Sequence, residues 1–181
     1  EAQRVFSDGK RLLHRIIEGR WLQANGVLAL LPANTVDDDT IEVYTDESRS
    51  EVALRWSPLR LQTERPVIDG VKRPNRSLAD FIAPKGIRPD YIGLFAVTAG
   101  LGVEKKEKQF TDDHDDYSAI MLKALADRLA EAFAERLHQR VRTELWGYAA
   151  DEQLSHEELI AETYRGIRPA PGYPACPDHS V

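Results

Sequence analysis

A segment of twelve residues near the end of the chain, residues 166–177, has the composition best suited to hold a polar small molecule. It contains four of the chain's 10 prolines, together with two glycines, Arg168 and Tyr173. Each proline fixes φ, removes a backbone donor and pushes the preceding residue into extended geometry, so we expect a stiff, extended segment that is neither helix nor central strand. A ligand that meets such a preordered backbone loses little affinity to ordering it.

Arg168 and the backbone of this segment could supply the contacts. Arg168 offers a planar fork of donors to a carboxylate or a phosphate, and Gly172 leaves room for a ligand to approach the backbone closely. We also expect N–H groups that are free to meet a ligand on Ala170, Gly172, Tyr173 and Ala175. A second interpretation stays open, since an arginine in a proline-rich surface loop is usually a solvated charge.

Acidic side chains recur at four-residue steps on the longest helical pattern of the chain. Glu131 has Asp127 one turn before it and Glu135 one turn after it. These acids lie away from the apolar stripe of the same helix, and three acids on one helix face normally point into solvent. The residues alone therefore favour a solvated face.

Other clusters of reactive side chains favour structural roles. Residues 114–116 read His-Asp-Asp, but adjacent residues rarely converge on one metal ion, so we interpret them as a helix cap. The three aspartates at residues 37–39 lack the glycine and distal glutamate of a calcium loop, which indicates a solvated turn. Cys176 stands in the proline-rich segment and not at a helix N-terminus, and the chain has no Gly-x-Ser-x-Gly, P-loop or Rossmann fingerprint. We expect no catalytic residue and no metal site.

Composition predicts an ordinary globular domain. A chain of 181 residues suits one domain with a proper core, spanning residues 1–181. The formal net charge of −6, without a basic cluster, argues against nucleic acid as a partner. No apolar run approaches the roughly 18 residues that a membrane helix needs. The single cysteine cannot form an internal disulfide and indicates a reducing compartment, so we expect a cytoplasmic protein.

Apolar residues at helical spacing predict three helices. The first covers residues 2–20, and the longest follows Asp115 and Asp116 and runs to about Leu145. A shorter helix begins at a capping box formed by Ser155 and Glu158. The long helix is expected to be the main core helix, with an apolar stripe made of Met121, Leu125, Leu129, Ala132, Phe133, Leu137, Val141 and Leu145.

Shorter apolar runs predict strands. They lie at residues 26–31, 40–44, 51–56 and 91–99, and we expect the last of them to be central in the sheet. The short turns between the first three favour antiparallel pairing, and residues 65–74 are expected to form an exposed loop. The predicted fold class is α+β, an antiparallel sheet of several strands packed against a long core helix and shorter helices.

Several motifs match one protein family in order along the chain. The two longest are residues 166–177 and residues 117–135, which read YSAIMLKALADRLAEAFAE. Shorter matches are LLPAN at residues 30–34, LADF at 78–81 and YIGLFAVT at 91–98. On these residues the chain resembles the activation domain of cobalamin-dependent methionine synthase.

This resemblance implies a role in repair of the cobalamin cofactor. In the family, oxidation of the cobalt inactivates the enzyme, and an electron from a flavodoxin-type donor, coupled to methyl transfer from S-adenosylmethionine, restores methylcobalamin. The cobalamin sits on a neighbouring domain, so the implied partners are the cobalamin-binding domain of the same protein and the flavodoxin-type reductant. The chain is expected to be part of a methyltransferase of methionine biosynthesis and to act by positioning its ligand.

The resemblance also assigns ligand-binding residues. The glutamate matching Glu131 lies against the proline-rich segment, and the arginine matching Arg168 takes the carboxylate of S-adenosylmethionine. Tyr173 and the backbone around Ala170 line the adenosine side, and Gly172 completes the expected set. These groups are complementary to a ligand with a carboxylate, two cationic centres and a flat purine.

Two family contacts fall outside this sequence. An aspartate lies upstream of the region matching Glu1, and a tandem tyrosine lies downstream of the region matching Val181. We therefore expect a truncated activation domain that is inactive in isolation. The alternative is a non-catalytic interaction module that keeps the fold but has an incomplete ligand site.

Overall fold

The computed structural model describes residues 1–179, which divide into two compact units. The first unit comprises Glu1–Leu28 and Phe95–Gln153, and the second comprises Ala29–Leu94 and the chain from residue 154 onward. The assignment of residues 1–181 to a single domain stays a prediction. The α+β fold class is confirmed, since helices, including one long one, accompany an antiparallel sheet.

The β structure consists of a four-stranded sheet and a separate hairpin. Six strands are present in the described chain: β1 (Gln23–Thr35), β2 (Ile41–Tyr44), β3 (Val52–Trp56), β4 (Val67–Ile68), β5 (Val71–Lys72) and β6 (Asp90–Leu101). The sheet has the order β3-β2-β1-β6. β2 pairs antiparallel with both β1 and β3, as the short connecting turns predict.

Two strand predictions need correction. Residues 91–99 were expected in the centre of the sheet, but β6 stands at one end of the described strand order. An apolar strand sequence indicates that the two faces of the strand are covered. It does not show whether a neighbouring strand pairs with each of its two edges. Residues 65–74 are exposed for the most part, as predicted, but they contain the β4–β5 hairpin, whose Asp69-Gly70 turn has φ of 52° and 76°.

The first unit is built around the predicted long helix. Its helices are α1 (Ala2–Gly19), α2 (Val103–Asp112) and α3 (Asp116–Arg140), and α3 continues into a π-helical turn (Val141–Leu145). The N-terminal cap prediction is confirmed, because the Asp115 side chain accepts a hydrogen bond from the Ser118 N–H at 3.0 Å. Within residues 1–179, no helix combines the length and the apolar character needed to cross a bilayer.

The core face of α3 is set differently from the predicted stripe. Ala119, Leu122 and Ala126 are buried, whereas Ala132 and Leu145, which belonged to the predicted stripe, are exposed. The predicted stripe left out Ala119 and Ala126, although alanine is among the residues most often found fully buried. The core of the unit joins α1, α2 and α3 through Leu12, Ile16, Phe110, Ala119 and Leu122.

The second unit has its own hydrophobic core between the sheet and a 3₁₀ helix (Leu78–Phe81). The core consists of Ala33, Ile41, Val43, Ala79, Ile82 and Ile92. Asn34 ends the LLPAN motif and is buried, and its amide donates to the carbonyls of Ala83 and Arg88 at 2.9 Å each. Asn34 therefore ties β1 to the loop that precedes β6.

The LADF motif also has a structural role. Asp80 accepts a hydrogen bond from the Ser77 N–H at 2.9 Å, which completes a capping box, and binds the Arg60 guanidinium through both carboxylate oxygens at 2.7 and 2.8 Å. The bonds from Arg60 lower the pKa of Asp80 below its usual range. Arg60 also binds Asp39 at 2.7 Å, so one side chain joins the acidic turn to the 3₁₀ helix.

A buried carboxylate on β2 gives the second unit a predicted pH dependence. Glu42 is buried, and it binds Lys85 and Arg55 at 2.8 Å each. The hydrogen bond from Lys85, followed by the one from Arg55, lowers the pKa of Glu42. The charged form is thus favoured by folding, and its contribution is present above the unfolded pKa of about 4.3 and is lost as pH falls through the lower folded pKa.

We therefore expect Glu42→Gln to cost about 1.5–2 kcal/mol at neutral pH, at the low end of the range for hydrogen bonds to charged groups because Lys85 and Arg55 are themselves largely exposed. The difference from wild type should shrink as pH falls below the unfolded pKa of about 4.3 and should disappear below the lower folded pKa, where the carboxylate is protonated in the folded wild type too. Urea unfolding of both proteins at neutral and acidic pH measures this difference. A difference that stays constant with pH would contradict the assignment.

Candidate ligand-binding site

The proline-rich segment belongs to the second unit and is more folded than predicted. Its first part lacks regular secondary structure, but two successive turns follow. The Tyr173 N–H donates to the Ala170 carbonyl at 3.1 Å, the Cys176 N–H to the Tyr173 carbonyl at 2.8 Å, and the Gly172 N–H to the Cys176 carbonyl at 2.7 Å. The prediction of a uniformly extended segment is therefore wrong, because prolines also occupy tight turns when a glycine supplies the positive φ.

These turns change which backbone groups can meet a ligand. The N–H groups of Gly172 and Tyr173 were expected to be free, but both are used inside the segment. Gly172 adopts φ of 93°, and a Cβ atom at this position would collide with the ring of His179. The positive φ therefore favours glycine here, whereas the exposed His179 ring could turn aside, and the stiffness of the segment comes from its hydrogen bonds as well as its prolines.

A short helix leads into the segment as predicted. α4 (His156–Ile160) begins at Ser155, whose side chain accepts from the Glu158 N–H at 3.2 Å, while Glu158 accepts from the Ser155 N–H at 2.8 Å. The predicted capping box is confirmed. Hydrogen bonds continue beyond the helix as far as the Thr163 N–H, so the approach to Gly166 is ordered along most of its length.

The side chains of the segment differ in exposure. Arg168 is half-buried, whereas Ala170 is exposed and the Tyr173 ring is 61% exposed. Cys176 is buried, and burial, with a smaller contribution from the Asp178 charge, raises the pKa of its thiol. The Cys176 thiol therefore stays protonated at neutral pH and is a poor nucleophile. A half-buried guanidinium can hold a carboxylate, and an exposed aromatic ring can cover a flat ring.

Glu131 lies on α3 in the first unit. Its side chain is 66% exposed and forms an ion pair with Arg128 at 2.9 Å, which fits the solvated face that the residues alone predicted. Glu131 and the proline-rich segment belong to different units, so the pairing of Glu131 with Arg168 stays a prediction.

A buried polar cluster on the same helix was missed by sequence reasoning. Arg142 is fully buried in the π-helical turn and binds Glu152 and His138. The available signal was the four-residue step from His138 to Arg142 on the acidic face of α3. It was hidden because both residues were surrounded by charged neighbours that suggested solvent exposure. Within residues 1–179, no three His, Cys, Asp or Glu side chains are grouped so that they could hold a metal ion.

The fold and this segment define an α+β domain that carries an arginine on a segment stiffened by prolines and by internal hydrogen bonds. A family model described as "vitamin B12 dependent methionine synthase, activation domain" matches residues 1–181. A crystal structure of the MetH reactivation domain bound to AdoHcy is 54% identical, with a TM-score of 0.86 over 99% of this chain. This chain spans 54% of that solved chain. The protein belongs to the family of activation domains of vitamin B12-dependent methionine synthase.

Proposed function

We propose that this protein binds S-adenosylmethionine and its product S-adenosylhomocysteine, as the activation module for reductive remethylation of cobalamin in methionine synthase. The observation that carries the proposal is the half-buried Arg168 on a segment ordered by prolines and by hydrogen bonds within the segment. The similar reactivation domain is described as bound to AdoHcy, and family membership supports the same ligand class here.

The proposed contacts follow the charges of the ligand. Arg168 takes the carboxylate through paired N–H donors, and Glu131 faces the cationic part of the ligand. Tyr173 and the backbone at Ala170 and Gly172 line the adenosine. Glu131 forms an exposed ion pair with Arg128, and it can exchange such a partner at little cost.

The chain's contribution to chemistry is positioning. Transfer of a methyl group from a sulfonium needs no proton shuttle. The ligand-binding residues therefore only hold the sulfur and the methyl group in line with the atom that accepts the methyl group. Cobalamin, carried by a neighbouring domain, supplies the methyl-accepting cobalt. A flavodoxin-type protein is the proposed electron donor, and the cytoplasm is the proposed location.

Titration calorimetry with S-adenosylhomocysteine tests the binding proposal. We expect Arg168→Ala to weaken binding about a hundredfold, since it removes two charge-assisted hydrogen bonds. Arg73→Ala, at an exposed arginine in the loop after β5, should leave the affinity unchanged. Equal affinity of wild type and Arg168→Ala would contradict the assigned site. Absence of heat with the wild-type protein at millimolar ligand would instead favour a non-catalytic interaction module.

A further inference from the structure

The turns of the proline-rich segment bring a histidine onto Gly172. The Gly172 N–H donates to the Cys176 carbonyl at 2.7 Å, and Tyr173 and Cys176 form an antiparallel bridge, so the chain reverses direction here. The residues after Cys176 therefore return toward Gly172. As a result, Nε2 and Cε1 of the His179 ring lie where a side chain of residue 172 would begin.

The space beside Gly172 is thus taken by the His179 ring. The sequence predicted that the missing side chain of Gly172 leaves room for a ligand to approach the backbone. In the structure this room holds an imidazole from further along the same segment of chain. His179 is itself exposed, so a ligand that approaches Gly172 from this side meets the His179 ring first.

Backbone donors at this turn are already used. The Gly172 N–H and the Tyr173 N–H both donate to carbonyls of the segment, at 2.7 and 3.1 Å. A ligand that binds here therefore depends on side chains for most of its contacts. Two flat side chains at the turn are exposed, the Tyr173 ring at 61% and the His179 ring.

The chemistry of an imidazole suits the adenosine part of the proposed ligand. The flat ring can stack on a purine, and a neutral imidazole carries one donor and one acceptor for a ribose hydroxyl or a purine nitrogen. The carboxylate of the ligand is instead suited to the guanidinium of Arg168. His179 therefore matches the same part of the ligand as Tyr173.

We propose that His179 is a further ligand-contacting residue, whose ring stacks on the adenosine of S-adenosylmethionine and S-adenosylhomocysteine beside Gly172. The ring makes the contact that the bare backbone of Gly172 was expected to make. This inference rests on the proposed function, because it needs the proline-rich segment to bind this class of ligand. All of the residues it uses lie in the second unit.

Titration calorimetry of His179→Ala with S-adenosylhomocysteine tests the inference. We expect the dissociation constant to rise about tenfold or more, as when an aromatic side chain that stacks on a base is removed. The matched control is His156→Ala, an exposed histidine at the start of α4 in the same unit, which should keep wild-type affinity. Because both histidines are exposed, both variants should unfold thermally close to wild type. Wild-type affinity of His179→Ala would overturn the inference.

A truncated ligand identifies the part that His179 contacts. 5′-Methylthioadenosine keeps the adenosine but lacks the carboxylate, so its affinity should fall in His179→Ala by the same factor and stay nearly unchanged in Arg168→Ala. A loss in His179→Ala that is seen with S-adenosylhomocysteine and not with 5′-methylthioadenosine would overturn the assignment to the adenosine.

His179→Phe separates stacking from a general disturbance of the turn. Phenylalanine keeps a flat ring without polar atoms, so this variant should bind S-adenosylhomocysteine within about threefold of wild type. Binding of His179→Phe as weak as that of His179→Ala would overturn the stacking contact.

The same titrations distinguish this inference from the proposed function. Failure of the wild-type protein to bind S-adenosylhomocysteine would remove the proposed function itself. Binding that is weakened by Arg168→Ala and not by His179→Ala would leave the proposed function in place and remove only the role of His179.

Discussion

Glu152→Ala is expected to lower the free energy of unfolding by about 3–5 kcal/mol, the range for breaking a buried ion pair by removing one partner. Arg142 is fully buried, and the Glu152 carboxylate receives three of its hydrogen bonds. Without Glu152 the guanidinium stays charged at any accessible pH, so the variant leaves a buried cation that has lost its bidentate carboxylate partner. Denaturant unfolding of wild type and variant, with the slopes compared, measures the loss.

Glu144→Ala is the matched control for this prediction. Glu144 binds Arg140 at 2.9 Å, two residues before Arg142, but the two side chains are 48% and 45% exposed. Its removal should cost less than about 1 kcal/mol, as for other exposed pairs. If Glu152→Ala costs no more than Glu144→Ala, water or a rearranged neighbour satisfies Arg142, and the prediction is wrong.

Periodicity predicted the elements well, because it reports burial along a single segment. The boundaries of α1 and the cap of α3 at Asp115 agree with the sequence patterns. α2 was missed, since Val103 and Phe110 are the only large apolar residues in a highly charged decapeptide. Its helix is held by tertiary packing of Phe110 in the core of the first unit, which no local pattern expresses.

The site could be predicted only in part, for a related reason. The residues of the proline-rich segment were identified from their types, but its hydrogen-bonded turns depend on pairs such as Tyr173 with Cys176, which composition does not specify. The Arg142–Glu152 pair joins residues ten positions apart across a π-helical turn, and neither helical nor strand spacing predicts that contact.

The motifs that carried the family resemblance have unequal meaning. Asn34 and Asp80 stand in two of them, and both act within the second unit as buried or capping hydrogen-bond partners. These two motifs therefore indicate the fold and say nothing about the ligand. Only the segment around Arg168 combines a cation, an aromatic ring and a stiff backbone, so the ligand chemistry rests on this one motif.

The largest backbone effect is expected at Gly102, the residue before α2. Gly102 has φ of 101°, a conformation that residues with a side chain rarely adopt. A Cβ atom there would lie 2.6 Å from the carbonyl oxygen of Trp21. That carbonyl cannot move easily, because the Trp21 N–H donates to Ile16 at 3.1 Å and the Trp21 ring packs edge-on against Phe110.

Gly102→Ala should therefore lower the free energy of unfolding by about 3 kcal/mol or more, the sum of backbone strain and a clash with fixed main chain. Gly86→Ala isolates the first part, because Gly86 has φ of 88° and open space around the added Cβ. We expect it to cost about 1–2 kcal/mol. Thermal and denaturant unfolding of the two variants give the difference. Equal losses of unfolding free energy in the two variants would mean that the Trp21 main chain moves aside freely. The core of the first unit would then be more deformable than its packing indicates.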